Sequence, residues 1–259
     1  MSHVPAASAL HPRPMRLTCA EFRRGLLRST LIGPHWAAIV ELGTTEEASI
    51  RSRSIELALA FGGCNLSLAP GGTATETFEV TPRPWPPGGG FYSGNGRRSE
   101  RLALHTDASG VRTGAALLVL GCARAAALGG ETLLADGAAV WRGLSPACRA
   151  ELMRPVFRED PYSGRVLVTR PLVDAEGRWS YHPDRVRVGC AAKGMLDPSL
   201  SAALDELDAT LESSAIEILL SAGEALILDN TRVLHGRRAF SSPADQAPRL
   251  LFRVWADKG

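Results

Sequence analysis

The sequence predicts an antiparallel β core with helices packed over it. Three observations carry that expectation. The chain has 259 residues, 45% of them hydrophobic and 22% charged, an ordinary globular composition with enough apolar bulk to bury a real core. Short apolar runs recur along it, and only a few segments carry helical stripes with clean starts, which fits a sheet under helical cover and not alternating βαβ units. Neither a phosphate loop nor a dinucleotide-binding glycine fingerprint is present, so nucleotide-dependent chemistry has no support.

The elements follow in order. Residues 1 to about 15 are rich in Pro, Ala and His and read as a loose tail, leaving 16–259 as one domain. Thr18-x-x-Glu21 is a capping-box pattern that opens a short helix reaching about Ser29. His35 to Leu42 is apolar and reads as a strand. Thr44-x-x-Glu47 opens a second helix with Ile50, Ser54, Leu57 and Phe61 on one stripe, and Gly62-Gly63 stops it. The segment 81–98, TPRPWPPGGGFYSGNGRR, is too rich in Pro and Gly for a helix or a central strand; it reads as a long loop, and its position just before a motif-bearing strand makes it a candidate lid. Arg101 to Thr106, Gly114 to Cys122, Val166 to Val173, Glu224 to Asp229 and Arg249 to Trp255 read as strands. Ser145-Pro146 and Asp197-Pro198 each place an N-cap before a proline at the first helical position, and the second helix carries the stripe Leu200, Leu204, Leu207, Leu211.

Charge and cysteine content exclude several function classes. The net charge is +2, from 29 basic and 27 acidic residues. That balance argues against nucleic acid or an anionic membrane as a partner, both of which need a concentrated basic patch. Almost all of the basic residues are arginines, the better anion-recognising cation. The five cysteines (Cys19, Cys64, Cys122, Cys148, Cys190) show neither a disulfide framework nor zinc spacing. Met1 to Met15 lacks an apolar signal region, and no apolar run approaches the roughly 18 residues that span a bilayer. A cytoplasmic setting is the expectation.

Two of the six histidines begin a His-x-Asp triplet: His105-Thr106-Asp107 and His182-Pro183-Asp184. Chance supplies roughly 0.6 such triplets with any carboxylate, so context has to separate them. His105 closes a strand-like run, where side chains i and i+2 share a side and can grip one ion. His182 precedes a proline in a turn-like YHPDR and reads as surface or turn structure. His235, in GEALILDNTRVLHGRRAF, is the candidate for the second imidazole of a two-His, one-carboxylate triad, a set that leaves three coordination positions open and suits non-haem Fe(II). In the terminal RLLFRVW, Arg249, Leu251, Arg253 and Trp255 share one strand face. Two arginines on a half-buried face need anions, either internal carboxylates or carboxylate ligands held by bidentate hydrogen bonds.

These residues together resemble the Fe(II)/2-oxoglutarate-dependent oxygenases of the taurine dioxygenase and clavaminate synthase-like group. The resemblance runs from about Gly33 to the C-terminus and rests on LALHTDASG, GGETLLAD (Gly129 to Asp136), GEALILDNTRVLHGR (Gly223 to Arg237) and RLLFRVW, in that order. It implies a double-stranded β-helix, or jelly roll, with helices outside and iron on its inner face. It implies His105, Asp107 and His235 as iron ligands, Thr132 and Arg249 as the 2-oxoglutarate site, and Arg253 as the arginine that meets a substrate carboxylate. Arg249 lies fourteen residues after His235, a spacing similar to that of the clavaminate-synthase branch. Two features depart from that branch: the carboxylate ligand is Asp, where many of its amino-acid hydroxylases use Glu, and the region before His105 is short. Related halogenases replace the carboxylate with Gly or Ala, so Asp107 argues against halogenation.

The expected cofactor and co-substrates are therefore Fe(II), 2-oxoglutarate and O2. The expected reaction is hydroxylation of an unactivated C–H bond in a small carboxylate-bearing molecule, an amino acid or a derivative. Tyr92 and Asn95 in the 81–98 loop are candidate substrate contacts. Desaturation or cyclisation at the same site, a 2-oxoglutarate-independent cupin-like metalloenzyme and a non-catalytic binding module are the alternatives.

Overall fold

The computed structural model describes residues 14–18, 20–21, 36–60, 67–68, 74–75, 78–82, 98–109, 115–159, 165–243 and 245–256. Two sheets dominate them. The larger has six strands in the order β1 (Met15–Thr18), β2 (Ala37–Glu41), β13 (Glu224–Asp229), β7 (Leu117–Arg124), β16 (Leu250–Ala256) and β5 (Phe78–Val80). All its pairings are antiparallel except β1 with β2. The smaller is antiparallel throughout, in the order β12 (Ile216–Ile218), β9 (Thr132–Asp136), β14 (Val233–Arg237) and β6 (Leu102–His105). Two-stranded pairs complete the set: β3 (Ser67–Leu68) with β4 (Ala74–Thr75), β8 (Leu128–Gly129) with β15 (Phe240–Ser241), and β10 (Pro155–Glu159) with β11 (Val166–Pro171).

Side-chain alternation along the strands turns the two sheets into layers. Leu118, Leu120, Leu226 and Leu228 of the large sheet meet Leu134 and Val233 of the small one in a shared buried cluster. The other face of the large sheet, with Val119, Ile227, Phe252 and Val254, takes α1 (Glu47–Leu59) through Ile50, Leu57 and Ala58. The other face of the small sheet, with Leu104, Leu133 and Leu234, takes a helical layer. That layer consists of α2 (Gly137–Gly143), α3 (Pro146–Leu152), α4 (Pro183–Ala192) and α5 (Pro198–Ser214). Because β13 is covered on both faces, all six of its residues are buried.

The helix starts show how far local signals reach. Ser145 and Asp197 cap α3 and α5 as their spacing predicts, accepting hydrogen bonds from the N–H groups of Cys148 and Leu200. The predicted stripe of α5 is fully buried, with Ala203 added to it; each such leucine contributes roughly 1.5–3 kcal/mol through removal from water. The capping box at Thr18 and Glu21 forms, with reciprocal bonds between the two residues, although the helix predicted beyond it, residues 22–29, lies outside the described residues. α1 begins without the predicted box. Glu46 is its N-cap and makes no side-chain capping bond, while the Thr44 hydroxyl accepts from the Glu46 N–H instead. Ser54, which interrupts the apolar stripe of α1, sits over Gly121, where a Cβ would come within 2.0 Å of its hydroxyl oxygen. A glycine on β7 is what lets helix and sheet close there.

Phe61 and Gly62-Gly63 lie outside the described residues, as do Cys19 and Cys64. Cys122, Cys148 and Cys190 are buried free thiols. Among the described residues, no helix is long and apolar enough to cross a membrane.

Candidate metal centre

The centre is built where β6 and β14 pair. His105 ends β6, and His235 stands directly opposite it on β14, with the ring centroids 4.6 Å apart. Gly236 permits this closeness. A Cβ there would lie 2.7 Å from the Leu102 carbonyl oxygen, and the register slips between His235 and Arg237. The chain then turns. Ala108 takes a left-handed φ of 56°, an uncommon conformation for a residue with a Cβ and one that persists only where the surroundings impose it. Asn230 supplies part of that imposition: its Oδ1 accepts from the Asp107 N–H at 2.9 Å, and its Nδ2 donates to the carbonyls of Asp107 and Ala115 at 3.0 and 2.8 Å.

The result is a convergent ligand set. One ligand atom each from His105, Asp107 and His235 lies within 4.8 Å of the others, and all three residues are buried. Asp107 Oδ1 is 3.4 Å from His105 Nε2 and 3.9 Å from His235 Nε2. His105 Nδ1 is 2.8 Å from the Ala103 carbonyl; as the donor of that bond it leaves Nε2 with a lone pair, the arrangement a metal-binding imidazole needs. Burial and the neighbouring His105 push the His235 pKa down to about 3, so its ring is neutral. Burial pulls Asp107 upward, but Arg253, His105 and His235 outweigh it and hold the carboxyl well below its ordinary value of 3.8. Two imidazoles and a carboxylate, sunk in the protein and aimed at one point, fit a divalent metal and leave part of its coordination sphere open.

Further groups come from β16, from Arg249 just before it and from the start of β9. Arg249 is buried, and among the described residues it forms no hydrogen bond or ion pair. Its guanidinium lies against the Phe240 ring, 5.5 Å from the ring centre. Burial lowers its pKa to about 10. Such a buried cation calls for an anionic partner. Thr132, also buried, is the cross-strand partner of Arg237, whose guanidinium lies 4.6 Å from the same Phe240 ring centre. Gly129 and Gly130, at φ 71° and 78°, make the turn into Thr132, and a Cβ on Gly130 would lie 3.6 Å from Arg249 Nε. Arg253 lies against the metal ligand, with Nη1 3.2 Å from Asp107 Oδ2. Tyr92 and Asn95, and most of the 81–98 loop, lie outside the described residues.

Several residues of this neighbourhood escaped the sequence reading. His182, expected at the surface or in a turn, is buried, with its ring centroid 5.2 Å from that of His105. Pro183 does not make a turn there; it is the first residue of α4, and His182 is the N-cap. Arg237 was quoted within a motif but given no role. Asn230 and Trp255 carry no local signal of a role, because the bonds they make cross more than a hundred residues of sequence.

A family model described as "Taurine catabolism dioxygenase TauD, TfdA family" matches residues 54–255. Solved structures match most of the chain at low identity. An asparagine oxygenase in complex with Fe(II), 2S,3S-3-hydroxyasparagine and succinate superposes with a TM-score of 0.76 at 22% identity, over 92% of this chain and 80% of the other. The non-haem iron oxygenase OrfP in complex with Fe and alpha-ketoglutaric acid gives 0.68 at 19%, over 92% and 81%.

Proposed function

The chain belongs to the taurine catabolism dioxygenase TauD, TfdA family, and from that premise we propose that it is an Fe(II)- and 2-oxoglutarate-dependent hydroxylase of a free amino acid or a close derivative. The observation that carries the reading is the buried convergence of His105, Asp107 and His235 on one point. In this reading those three hold Fe(II), and the two principal sheets are the faces of a jelly roll with the metal between them. Bound iron, together with 2-oxoglutarate and O2, supplies oxidative decarboxylation to succinate and CO2 coupled to oxidation of one substrate C–H bond.

The protein's own part is binding and placement. Arg249 takes the distal carboxylate of 2-oxoglutarate, replacing the missing counter-charge at a site where burial makes that pairing strong; Thr132 assists with its hydroxyl. The neutral ring of His235 and the ionised Asp107 need no proton exchange before they coordinate a metal. Burial of all three excludes bulk water, and the rigid strand pairing fixes which substrate bond is presented. The amino acids bound in compared structures, 2S,3S-3-hydroxyasparagine in the asparagine oxygenase and L-homoarginine in a complex of OrfP, support the amino-acid class. Arg253 is the candidate for the substrate carboxylate, and Tyr92 and Asn95 are further candidate contacts. In that role Arg253 would serve Asp107 and the substrate together.

A succinate-release screen against free amino acids tests the proposal. At least one amino acid should stimulate 2-oxoglutarate turnover in the wild type. His235→Ala should abolish that turnover, whereas Arg249→Ala should raise the 2-oxoglutarate KM by about 10–100-fold, the loss of a charge-assisted pair of about 1.5–3 kcal/mol. Unchanged turnover in His235→Ala would refute the metal assignment.

A further inference from the structure

The metal-site carboxylate has two oxygens, and the protein treats them differently. Oδ1 faces the imidazoles, 3.4 Å from His105 Nε2 and 3.9 Å from His235 Nε2. Oδ2 faces β16, where it accepts a hydrogen bond from Trp255 Nε1 at 2.9 Å. Arg253 Nη1 reaches both oxygens, at 3.3 and 3.2 Å, and so does not choose between them. The indole does. It is a donor only, with a single N–H and no acceptor. Its backbone is held in register opposite Leu118 of β7, its ring packs against the inter-sheet cluster, and the Arg253 guanidinium lies over it, 4.8 Å from the ring centre.

We propose that Trp255 is a positioning residue that holds Oδ2 of Asp107 away from the metal and so fixes the carboxylate as a one-oxygen ligand. The consequence follows from counting coordination positions. Two imidazoles and one carboxylate oxygen leave three positions on an octahedral ion. A chelating co-substrate needs two of these and O2 needs one. A carboxylate that swung to bind through both oxygens would occupy the third. Partners that orient a metal ligand in this way are worth about 10–100-fold in metal affinity. The inference rests on the Fe(II) reading above.

Two measurements on the full chain test it separately from that reading. The first is anaerobic Fe(II) titration of wild type, Trp255→Phe and His235→Ala. Trp255→Phe keeps the ring and loses the N–H, and its affinity should fall about 10-fold or more; affinity equal to wild type overturns the proposal. If wild type binds Fe(II) no better than His235→Ala, the metal reading itself fails. The second is the indole N–H spectrum of the metal-free, 15N-tryptophan-labelled protein, which has five tryptophans. One indole signal should shift in Asp107→Ala and be the signal missing in Trp255→Phe. An indole spectrum indifferent to Asp107→Ala overturns the proposal even if Trp255→Phe does not fold.

Discussion

The chain carries one short pattern twice, His105-Thr106-Asp107 and His182-Pro183-Asp184, and folds the two copies side by side. Thr106 and Tyr181 exchange hydrogen bonds, through the Thr106 N–H to the Tyr181 carbonyl at 2.7 Å and the Tyr181 N–H to the Thr106 hydroxyl at 2.9 Å. Both histidines are buried. Only the first triplet gathers its carboxylate. Asp107 returns toward His105 in the turn after β6, with its backbone clamped by Asn230. In the second triplet Pro183 starts α4, and Asp184 rides in the first helical turn, where it is exposed. A residue two places along a helix points about 200° around the axis from its predecessor, so a helix start separates what the turn after a strand brings together. The difference between the triplets lies in the backbone that follows the histidine, and the residue letters do not record it.

The largest expected effect separates the triplets directly. His105→Ala should remove saturable Fe(II) binding, because two ligands cannot replace three in a site this deeply buried. His182→Ala should retain binding within about tenfold, the loss expected for a neighbour that orients a ligand. Anaerobic titration of both variants decides the matter, and equal losses would place His182 in the coordination sphere.

Some of this arrangement was legible in the sequence and some was not, for reasons particular to each residue. Asp197 and Ser145 announce their helices because cap, proline and stripe all sit within one turn or two. The metal set was legible because β6 ends at His105 and β14 carries His235 in a motif with its own glycine, and Gly236 proves to be the residue that lets the strands close. α4 was missed because His-Pro reads equally as a turn and as an N-cap before a first-turn proline. The deciding signal lay further on, in Val186 and Cys190, four residues apart and both buried. α2 was missed because it begins at Gly137, an ordinary stop signal; the cap is Asp136, which accepts from the Ala138 N–H at 2.8 Å. The Trp255–Asp107 bond spans 148 residues, and no local pattern encodes a contact of that kind.

A middle-sized effect tests what holds the two triplets together. Arg158 of β10 is buried, and its guanidinium donates to the Ser109 carbonyl, just after the first triplet, at 2.8 Å. It also donates to the hydroxyl and carbonyl of Ser180, just before the second. α4 packs against the backbone of the same residue through Gly189, where a Cβ would fall 2.6–2.7 Å from Arg158 backbone atoms. Alanine gains about 1 kcal/mol over glycine inside a helix, but a clash with backbone cannot be relieved by a rotamer change and costs about 1–3 kcal/mol or more. Gly189→Ala should therefore lower unfolding stability in urea, by up to about 2 kcal/mol net if the strand cannot shift. A neutral or stabilised variant would mean that α4 is loosely seated and that the second triplet is not held in register with the first.

The smallest effect is a slope. Burial, with the charges of His105 and Arg185 adding to it, holds the His182 pKa well below its ordinary 6.5. Below pH 6.5 the unfolded chain therefore binds a proton at this residue and the folded chain does not, so stability falls as pH falls, until the folded ring itself protonates. Each imidazole of this kind contributes about 1.4 kcal/mol per pH unit in that window. In the metal-free protein His235, lowered to about 3, contributes a second such term. Between pH 6 and pH 5, urea unfolding of His182→Gln should show a pH slope smaller than wild type by about 1.4 kcal/mol per unit, whatever the variant does to stability at pH 7.5. Carboxylates shared by both proteins cancel in that difference. Identical slopes would mean that His182 titrates as a solvated ring, as its His-Pro setting first leads one to expect, and the contrast between two buried imidazoles would reduce to a contrast between a buried triplet and an exposed one.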